Sequence, residues 1–297
     1  MKICCCWLYA ISKYGYPPSL KNTMNAVREM TDLGFRAIEL EAVSSENLGE
    51  LSNNRKEIRE LCDSRGASIV NFCPIFRDLV SYDKRKRSKA IRLFEEATEL
   101  ANFFDSKTVQ TDTFTPPLRF EGETPYKEAI SFGRQVGVRI PPDFRWSKFW
   151  AILVDSMRRC DRIAQKHGLK FCVEPRVGES VSNADAMLRL VEAVGSSNFG
   201  AVLDTGHLHA QKEILPLSAE KLGKKIFYIH VSDNDGRDNF HLRPGKGTVD
   251  WEGLFRVLKR IGFQGYFAVD IGNVPNLDEE MIKSKSFLER LGEKLKL

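Results

Sequence analysis

The sequence has no apolar run of the roughly 18–20 residues that a membrane-spanning helix needs, so we expect no membrane association. Its seven cysteines show no CxxC spacing. Three of them, Cys4, Cys5 and Cys6, are adjacent, and neighbours on a strand point to opposite faces and do not readily form a disulfide with each other. The sequence therefore lacks a disulfide framework, and we expect reduced thiols and a cytoplasmic protein.

Clustered positive charge is also scarce. The net charge is only +5, and the one dense basic run is Lys84-Arg85-Lys86-Arg87. Proteins that bind nucleic acid usually carry a broader basic patch or stripe. A short run of this kind is typical of the exposed start of a helix, so the composition argues against a nucleic-acid partner.

No glycine-rich dinucleotide fingerprint follows the first strand-like segment, which argues against a Rossmann fold. Strand-like and helix-like segments instead alternate along the whole chain, and this predicts an α/β fold, a single-domain (β/α)8 TIM barrel over residues 1–297. Glycines at 34, 66, 168 and 262 follow four of the predicted helices, as left-handed caps do. The predicted strands are residues 2–9, 36–42, 67–73, 107–113, 169–174, 200–204, 226–231 and 266–271, and the predicted helices are residues 20–33, 54–65, 86–104, 148–167, 184–194, 219–222, 251–261 and 277–294.

One segment, residues 114–147, interrupts this alternation. It follows the fourth predicted strand and contains two Pro-Pro pairs and four arginines. Long loops in a compact domain are usually functional, and this one lies on the side of the barrel where active sites are built. We interpret it as an insertion or a lid over the C-terminal face. The alternative is that it forms a contact between subunits of a homo-oligomer.

Four of the predicted strands have a residue that can bind a metal at their last or next-to-last position. These residues are Glu174, Asp204, His230 and Asp270, and they are separated by 30, 26 and 40 positions, about one strand-plus-helix unit each. Because the ends of parallel barrel strands converge, the four side chains are expected to form one site. Three carboxylates and one imidazole suit Mn²⁺, Mg²⁺ or Co²⁺, with Zn²⁺ as the alternative.

Two further histidines follow these strand ends. His207 lies three residues beyond Asp204, in the predicted loop after the sixth strand, and His241 follows the seventh strand. The surrounding segments resemble the xylose-isomerase-like barrels, a family that comprises sugar isomerases and epimerases, inosose dehydratases and endonuclease IV. The resemblance rests on Val173-Glu174-Pro175, Leu203-Asp204-Thr205-Gly206-His207, Ile229-His230-Val231-Ser232-Asp233-Asn234-Asp235-Gly236, His241-Leu242-Arg243-Pro244-Gly245-Lys246-Gly247 and Val249-Asp250-Trp251.

This resemblance implies a divalent metal held by Glu174, Asp204, His230 and Asp270, and a small carbohydrate substrate contacted by the histidines at 207 and 241. Two departures stand out. The eighth-strand ligand in the epimerases and isomerases of this group is usually Glu, where this chain has Asp270. An acid often stands two residues before the histidine of the Gly-x-Gly run; here either Asp238 lies one residue too far from His241, or Asn239 replaces the acid.

The implied reaction is proton transfer through an enediolate of a sugar, keto-sugar or polyol. Glu174 would remove the proton next to the carbonyl, and Asp270 would return it on the opposite face. Return to the same carbon gives epimerisation, and return to the neighbouring carbon gives isomerisation. Three alternatives remain: a dehydratase of the inosose type, a nuclease like endonuclease IV, and a non-catalytic sugar-binding barrel. The chain has no histidine before residue 167, which argues against a three-metal nuclease site.

Other polar residues at strand ends are weaker candidates. Asp112, near the end of the fourth predicted strand, is expected to contact substrate. Arg176 follows the fifth strand and could bind a sugar hydroxyl or a phosphate, with a surface salt bridge as the alternative. Glu39 and Glu41 share one face of the second strand, where we predict a buried structural ion pair.

Overall fold

The chain folds around eight parallel strands that close into a barrel, in a computed structural model that describes residues 1–121 and 137–296. Neighbouring strands follow the order of the chain, and the last pairs with the first, where Cys4 lies opposite Ala268. The predicted (β/α)8 TIM barrel is confirmed. Its strands are β1 (Lys2–Cys5), β2 (Ala37–Ala42), β3 (Ser68–Pro74), β4 (Thr108–Asp112), β5 (Lys170–Glu174), β6 (Phe199–Asp204), β7 (Ile226–Val231) and β8 (Tyr266–Val269).

Helices connect these strands and pack against their outer faces. The four glycines predicted to cap helices all have positive φ, for example 69° at Gly168 and 71° at Gly262. A residue with a side chain is strained in this conformation, which explains why glycine stands there. The helices among the described residues are Leu8–Tyr14, Leu20–Asp32, Ser45–Asn53, Arg55–Ser64, Lys84–Phe103, Trp146–Lys166, Ala184–Val194, Thr205–Ala210, Leu215–Leu222, Trp251–Ile261 and Leu277–Leu295.

The prediction was wrong at three places. The first strand ends at Cys5, and the rest of the predicted segment 2–9 enters the helix Leu8–Tyr14. The helices Ser45–Asn53 and Thr205–Ala210 were not predicted, and the second of them carries His207, which was assigned to a loop. Both begin at a side chain that accepts a backbone N–H three residues on, Ser44 in one case and Asp204 in the other. Each capping residue is a sequence signal for the start of a helix. The helices themselves are too short to show a clear helical period of apolar residues.

The core has two parts. The larger lies between the strands and the surrounding helices. The smaller fills the barrel interior with small and thiol-bearing side chains, together with Tyr228. At the C-terminal ends of the strands this interior becomes polar, and that change positions the candidate site. The interior apolar group consists of Cys4, Cys6, Ala37, Val70, Cys172, Val202, Tyr228 and Ala268.

The segment 114–147 contains a short antiparallel pair, Arg119–Glu121 with Gly137–Arg139, and the start of the helix Trp146–Lys166. Residues 122–136 lie outside the described residues. The interpretation of the segment as a lid therefore stays a prediction.

Among the described helices, none combines the length and the apolarity that a membrane crossing requires.

Candidate metal centre

Three of the four predicted metal ligands meet at the C-terminal end of the barrel. Glu174 ends β5, Asp204 ends β6, and His230 lies one residue before the end of β7. One ligand atom from each lies within 4.8 Å of the others. The Nδ1 atom of His230 is 2.6 Å from Oε1 of Glu174 and 3.6 Å from Oδ2 of Asp204. All three side chains are buried, so this is an enclosed acidic site with one imidazole.

Asp204 carries a feature that fits a bound cation. Its Oδ1 accepts the backbone N–H of His207 at 2.7 Å and so begins the short helix after β6. Its Oδ2 is buried and has no hydrogen-bond partner among the described residues. Burial opposes ionisation, yet the nearby imidazoles of His207 and His230 hold the pKa of Asp204 well below its usual range. A buried carboxylate oxygen that is ionised and accepts no hydrogen bond is costly unless a cation compensates its charge, and the nearest cationic group, His230, is 3.6 Å away. These residues therefore fit a divalent metal.

Glu174 and His230 complete the group. Burial raises the pKa of Glu174 to about 8, in spite of the adjacent His230. Burial alone would favour neutral His230, but the carboxylates of Glu174 and Glu39 hold the pKa of His230 well above its usual value. Crowded carboxylates of this kind accept either a shared proton or a metal ion, and a metal would satisfy all three side chains together.

Asp270, the fourth predicted ligand, lies directly after β8 and is buried. It belongs to neither of the two groups of mutually close ligand atoms found among the described residues, which are Glu174 with Asp204 and His230, and Cys6 with Glu39 and His230. Its Oδ2 is instead 2.9 Å from Nδ1 of His241. Burial works against both charges, but their mutual attraction raises the pKa of His241 to about 9 and lowers that of Asp270. The two residues thus form a buried ion pair, and a metal-binding role for Asp270 stays a prediction.

His207 and His241 lie side by side, with ring centroids 5.6 Å apart and the rings nearly perpendicular. Burial lowers the pKa of His207 to about 3, so His207 is neutral where His241 is charged. The Nδ1 atom of His207 is contacted by two donors, the backbone N–H of Val177 at 3.4 Å and the amide nitrogen of Asn239 at 3.1 Å. The proton of His207 is therefore assigned to Nε2.

Arg176 and Asp112 are in direct contact, with Nη1 of the guanidinium against Oδ2 of the carboxylate. The Nε atom of Arg176 is also 3.7 Å from Oε2 of Glu174. Arg176 is therefore part of the site and not of a surface salt bridge. The substrate contacts that we expect from Arg176 and Asp112 stay predictions.

One cavity of about 770 Å³ opens onto these side chains. All the predicted site residues except Asp204 line it. The described structure therefore brings together, in one cavity, residues from loops and strands that are far apart in the sequence. The cavity-lining site residues are Asp112, Glu174, Arg176, His207, His230, His241 and Asp270.

The sequence predicts a buried structural ion pair at Glu39 and Glu41. The structure places Glu39 in the candidate site, beside His230. Its Oε2 is 3.2 Å from Nε2 of His230 and accepts an N–H of Asn71 at 2.7 Å, and its Oε1 accepts the thiol proton of Cys6 at 3.2 Å. The carboxylate thus holds the far side of the imidazole, while Nδ1 faces Glu174 and Asp204. Partners of this kind fix the tautomer and the orientation of a metal-binding histidine.

Replacing Glu39 by Gln is expected to weaken Mn²⁺ binding by about 10- to 100-fold, because His230 loses the charged partner on Nε2. Metal affinity can be measured by calorimetric titration of the metal-stripped protein. Glu41→Gln, two residues along the same strand, is the matched control, since no contact joins Glu41 to His230 among the described hydrogen bonds. Equal affinities in the two variants would contradict an orienting role for Glu39.

Asp233 is another residue whose role the motif did not reveal. It is fully buried, and its carboxylate accepts four hydrogen bonds of 2.8–3.2 Å. Its backbone also pairs with Leu242 in both directions. One side chain thereby folds the loop that carries Asn239 and His241. The four donors are the backbone N–H groups of Asn234, Gly245 and Val249 and the indole N–H of Trp251.

Comparison with known proteins agrees with this fold. The family described as xylose isomerase-like TIM barrels matches residues 27–291. An uncharacterized protein of Methanocaldococcus jannaschii is 24% identical over 291 residues, covering 94% of this chain and 88% of that protein. Fructoselysine 3-epimerase of Escherichia coli O157:H7 is 26% identical over 157 residues, covering 52% of this chain and 55% of the enzyme. A solved D-tagatose 3-epimerase-like protein has a TM-score of 0.75 at 22% identity, covering 100% of this chain and 98% of that protein.

The named relatives are enzymes, and inosose isomerases and an inosose dehydratase are also among them. The matched part spans about half the length of these named enzymes. The structural likeness covers nearly the whole chain, but at this low identity it shows the fold alone.

Proposed function

Because the chain belongs to the xylose isomerase-like TIM-barrel family, we propose that it is a divalent-metal-dependent isomerase or epimerase of a sugar, keto-sugar or polyol. Sugar epimerases and inosose isomerases among its relatives support this reaction class. The observation that carries the proposal is the buried group of Glu174, Asp204 and His230, in which one carboxylate oxygen of Asp204 accepts no hydrogen bond, next to a cavity that can admit a small molecule.

In this proposal Glu174, Asp204 and His230 hold the metal, and Asp270 completes the set. Oxygen-rich ligands with one imidazole favour Mn²⁺, Mg²⁺ or Co²⁺ over ions that prefer thiolate ligands, and Zn²⁺ is the alternative. A bound ion would act as a Lewis acid that polarises the carbonyl of the substrate. Glu39 keeps the ring of His230 in the orientation that this requires.

Glu174 is the proposed base. Its carboxylate takes the proton from the carbon next to the carbonyl, and the electron pair of that C–H bond moves toward the carbonyl oxygen to give an enediolate. Asp270 is the proposed second carboxyl group. It is ionised beside cationic His241, so the proton that it returns on the opposite face is first supplied by His241. Its contact with His241 holds this shorter side chain in a defined position. The carbon that receives the proton decides between epimer and isomer.

The remaining polar residues are proposed to bind the carbohydrate. His207 carries its proton on Nε2 and can donate it to a substrate oxygen. His241 is cationic beside it, so the pair offers donors for the negative charge that develops on the enediolate. Arg176 and Asp112 hold each other on the side of β4 and β5 and are proposed to contact hydroxyl groups of the substrate.

The wild-type protein is expected to contain one divalent ion per chain and to exchange a carbon-bound proton of a keto-sugar with deuterated water. Metal content is measured by mass spectrometry of the purified protein, and exchange by the loss of the corresponding proton signal in NMR spectra of a panel of ketoses. Removal of the ion by a chelator is expected to abolish exchange, and added Mn²⁺ to restore it. A protein that binds the metal but exchanges no proton of any keto-sugar would contradict the proposal.

A further inference from the structure

A second group of potential metal ligands lies on the far side of the imidazole of His230. It consists of Cys6, Glu39 and His230, and one ligand atom from each lies within 4.8 Å of the others. The Sγ atom of Cys6 is 3.2 Å from Oε1 of Glu39, and Nε2 of His230 is 3.2 Å from Oε2. All three side chains are buried. We call this group the thiol site, and the group of Glu174, Asp204 and His230 the carboxylate site.

The pairing of the first two strands brings the thiol and the carboxylate together. Cys5 lies opposite Ile38 in the register between β1 and β2. The next residue along each strand points to the other face, so Cys6 and Glu39 both turn into the barrel interior. The three adjacent cysteines are divided in the same way, since Cys4 and Cys6 belong to the interior group and Cys5 to the outer core.

A hydrogen bond alone explains little of this contact. A thiol is a weak donor, and the Cys6 thiol is the donor to Oε1 of Glu39 among the described hydrogen bonds. Asp270 is a second carboxylate close to the same thiol. A thiol between two carboxylates, next to an imidazole nitrogen, is a set of groups that attracts a cation. Cysteine, histidine and a carboxylate are the ligand types that Zn²⁺ takes in proteins.

The distances fit a small tetrahedral ion. Ligand atoms at about 2.0–2.3 Å from Zn²⁺ lie about 3.3–3.7 Å from one another in a tetrahedron. The contacts of 3.2 Å that Glu39 makes with Cys6 and His230 are close to this range. All three residues line the cavity of about 770 Å³, so an ion can enter from the cavity and a fourth position is open to water.

The two sites share one imidazole. Nδ1 of His230 faces Glu174 and Asp204, and Nε2 faces Glu39. A neutral imidazole carries its proton on one nitrogen and has a lone pair for a metal on the other. An ion in the carboxylate site would leave the proton on Nε2, and an ion in the thiol site would leave it on Nδ1. One chain can therefore fill only one of the two sites at a time.

We propose that Cys6, Glu39 and His230 bind a divalent ion that prefers thiolate ligands, Zn²⁺ or Cd²⁺, and that this ion excludes Mn²⁺ from the carboxylate site. The thiolate is the ligand form of cysteine, so the thiol proton leaves for the solvent when the ion binds. A soft thiolate selects Zn²⁺ over Mn²⁺ or Mg²⁺. The exclusion rests on the proposed function for the position of Mn²⁺, whereas the thiol site does not.

The test titrates Cd²⁺ into the metal-stripped full chain, kept reduced by a phosphine that has no thiol. A cadmium–thiolate bond gives an ultraviolet charge-transfer band that oxygen and nitrogen ligands do not give. The wild type is expected to gain this band and to saturate at one Cd²⁺ per chain. Cys6→Ser is expected to lose the band, because a hydroxyl replaces the thiol.

Cys73→Ser is the matched control. Cys73 is also a buried cysteine that lines the cavity, but it lies outside both ligand groups found among the described residues. It is expected to keep the band. Thermal unfolding followed by circular dichroism shows whether each variant is folded, and Cys6→Ala takes the place of Cys6→Ser if the serine variant is not.

Exclusion is measured by the electron paramagnetic resonance of Mn²⁺, whose signal distinguishes the free from the bound ion. Cd²⁺ is expected to release Mn²⁺ from the wild type. Release from Cys6→Ser is expected to need at least about tenfold more Cd²⁺, since the variant has no thiolate to select that ion.

Binding of Cd²⁺ without the charge-transfer band, a band that Cys6→Ser retains, or no binding of Cd²⁺ would overturn the thiol site. The band together with full retention of Mn²⁺ would overturn the exclusion. Neither readout needs a substrate, so the proposed function is judged separately by proton exchange. Exchange without the band refutes the inference alone. The band without exchange supports the thiol site and refutes the isomerase or epimerase activity.

Discussion

Replacing Glu174 by Gln is expected to reduce proton exchange with the solvent by at least about 10³-fold, the upper part of the range for the loss of a catalytic base. Gln keeps the size of the side chain and can still approach Nδ1 of His230, which is 2.6 Å from the carboxylate in the wild type. It cannot accept the substrate proton, because an amide is a very weak base. The rate is measured as deuterium incorporation into the substrate at saturating Mn²⁺.

Saturating metal matters because Glu174 is also a proposed ligand. If exchange by Glu174→Gln recovers at high Mn²⁺, the residue acts through the metal and another group is the base. Glu179→Gln is the matched control. Glu179 lies in the same segment after β5, and its Oε2 accepts a hydrogen bond from Thr115 at 2.5 Å, away from the ligand group. Similar losses in both variants would mean that the segment as a whole was disturbed.

Replacing Asp233 by Ala is expected to lower the free energy of unfolding by about 3–5 kcal/mol, because a buried donor left without a partner costs about 1–3 kcal/mol and part of this cost is relieved by relaxation. Four N–H donors would lose their acceptor inside the protein. Asp233→Asn keeps the shape but turns an N–H₂ group toward donors, so we expect a smaller loss of about 2–3 kcal/mol. Urea denaturation followed by circular dichroism measures both.

Asp235→Asn is the control for Asp233. Asp235 is exposed and accepts the backbone N–H groups of Arg237 and Asp238 on the surface of the same loop. Its replacement is expected to change the stability by less than about 1 kcal/mol. If Asp233→Asn is as stable as Asp235→Asn, the loop that carries His241 is held by its backbone pairing with Leu242 and not by the carboxylate.

Most of the fold follows from local patterns in the sequence. Buried strands of a parallel barrel read as short apolar runs, and the helices between them have a clear period and often a terminal glycine. The errors fall where the local signal is short. The apolar run after Lys2 continues from β1 into the helix Leu8–Tyr14, and the helix Thr205–Ala210 has only six residues. Hydrophobicity alone does not separate a buried strand from a buried helical turn.

The sequence by itself determined which strand ends carry ligand-type residues, because parallel strands of one barrel bring their C-terminal ends together whatever the details of packing. Only the tertiary structure decided how those side chains pair. It grouped Glu174, Asp204 and His230, directed Asp270 to His241, and placed Glu39 behind the imidazole. These contacts depend on side-chain direction and on register between strands that are far apart in the chain. The spacing of residues along the sequence specifies neither the direction of a side chain nor the register between distant strands.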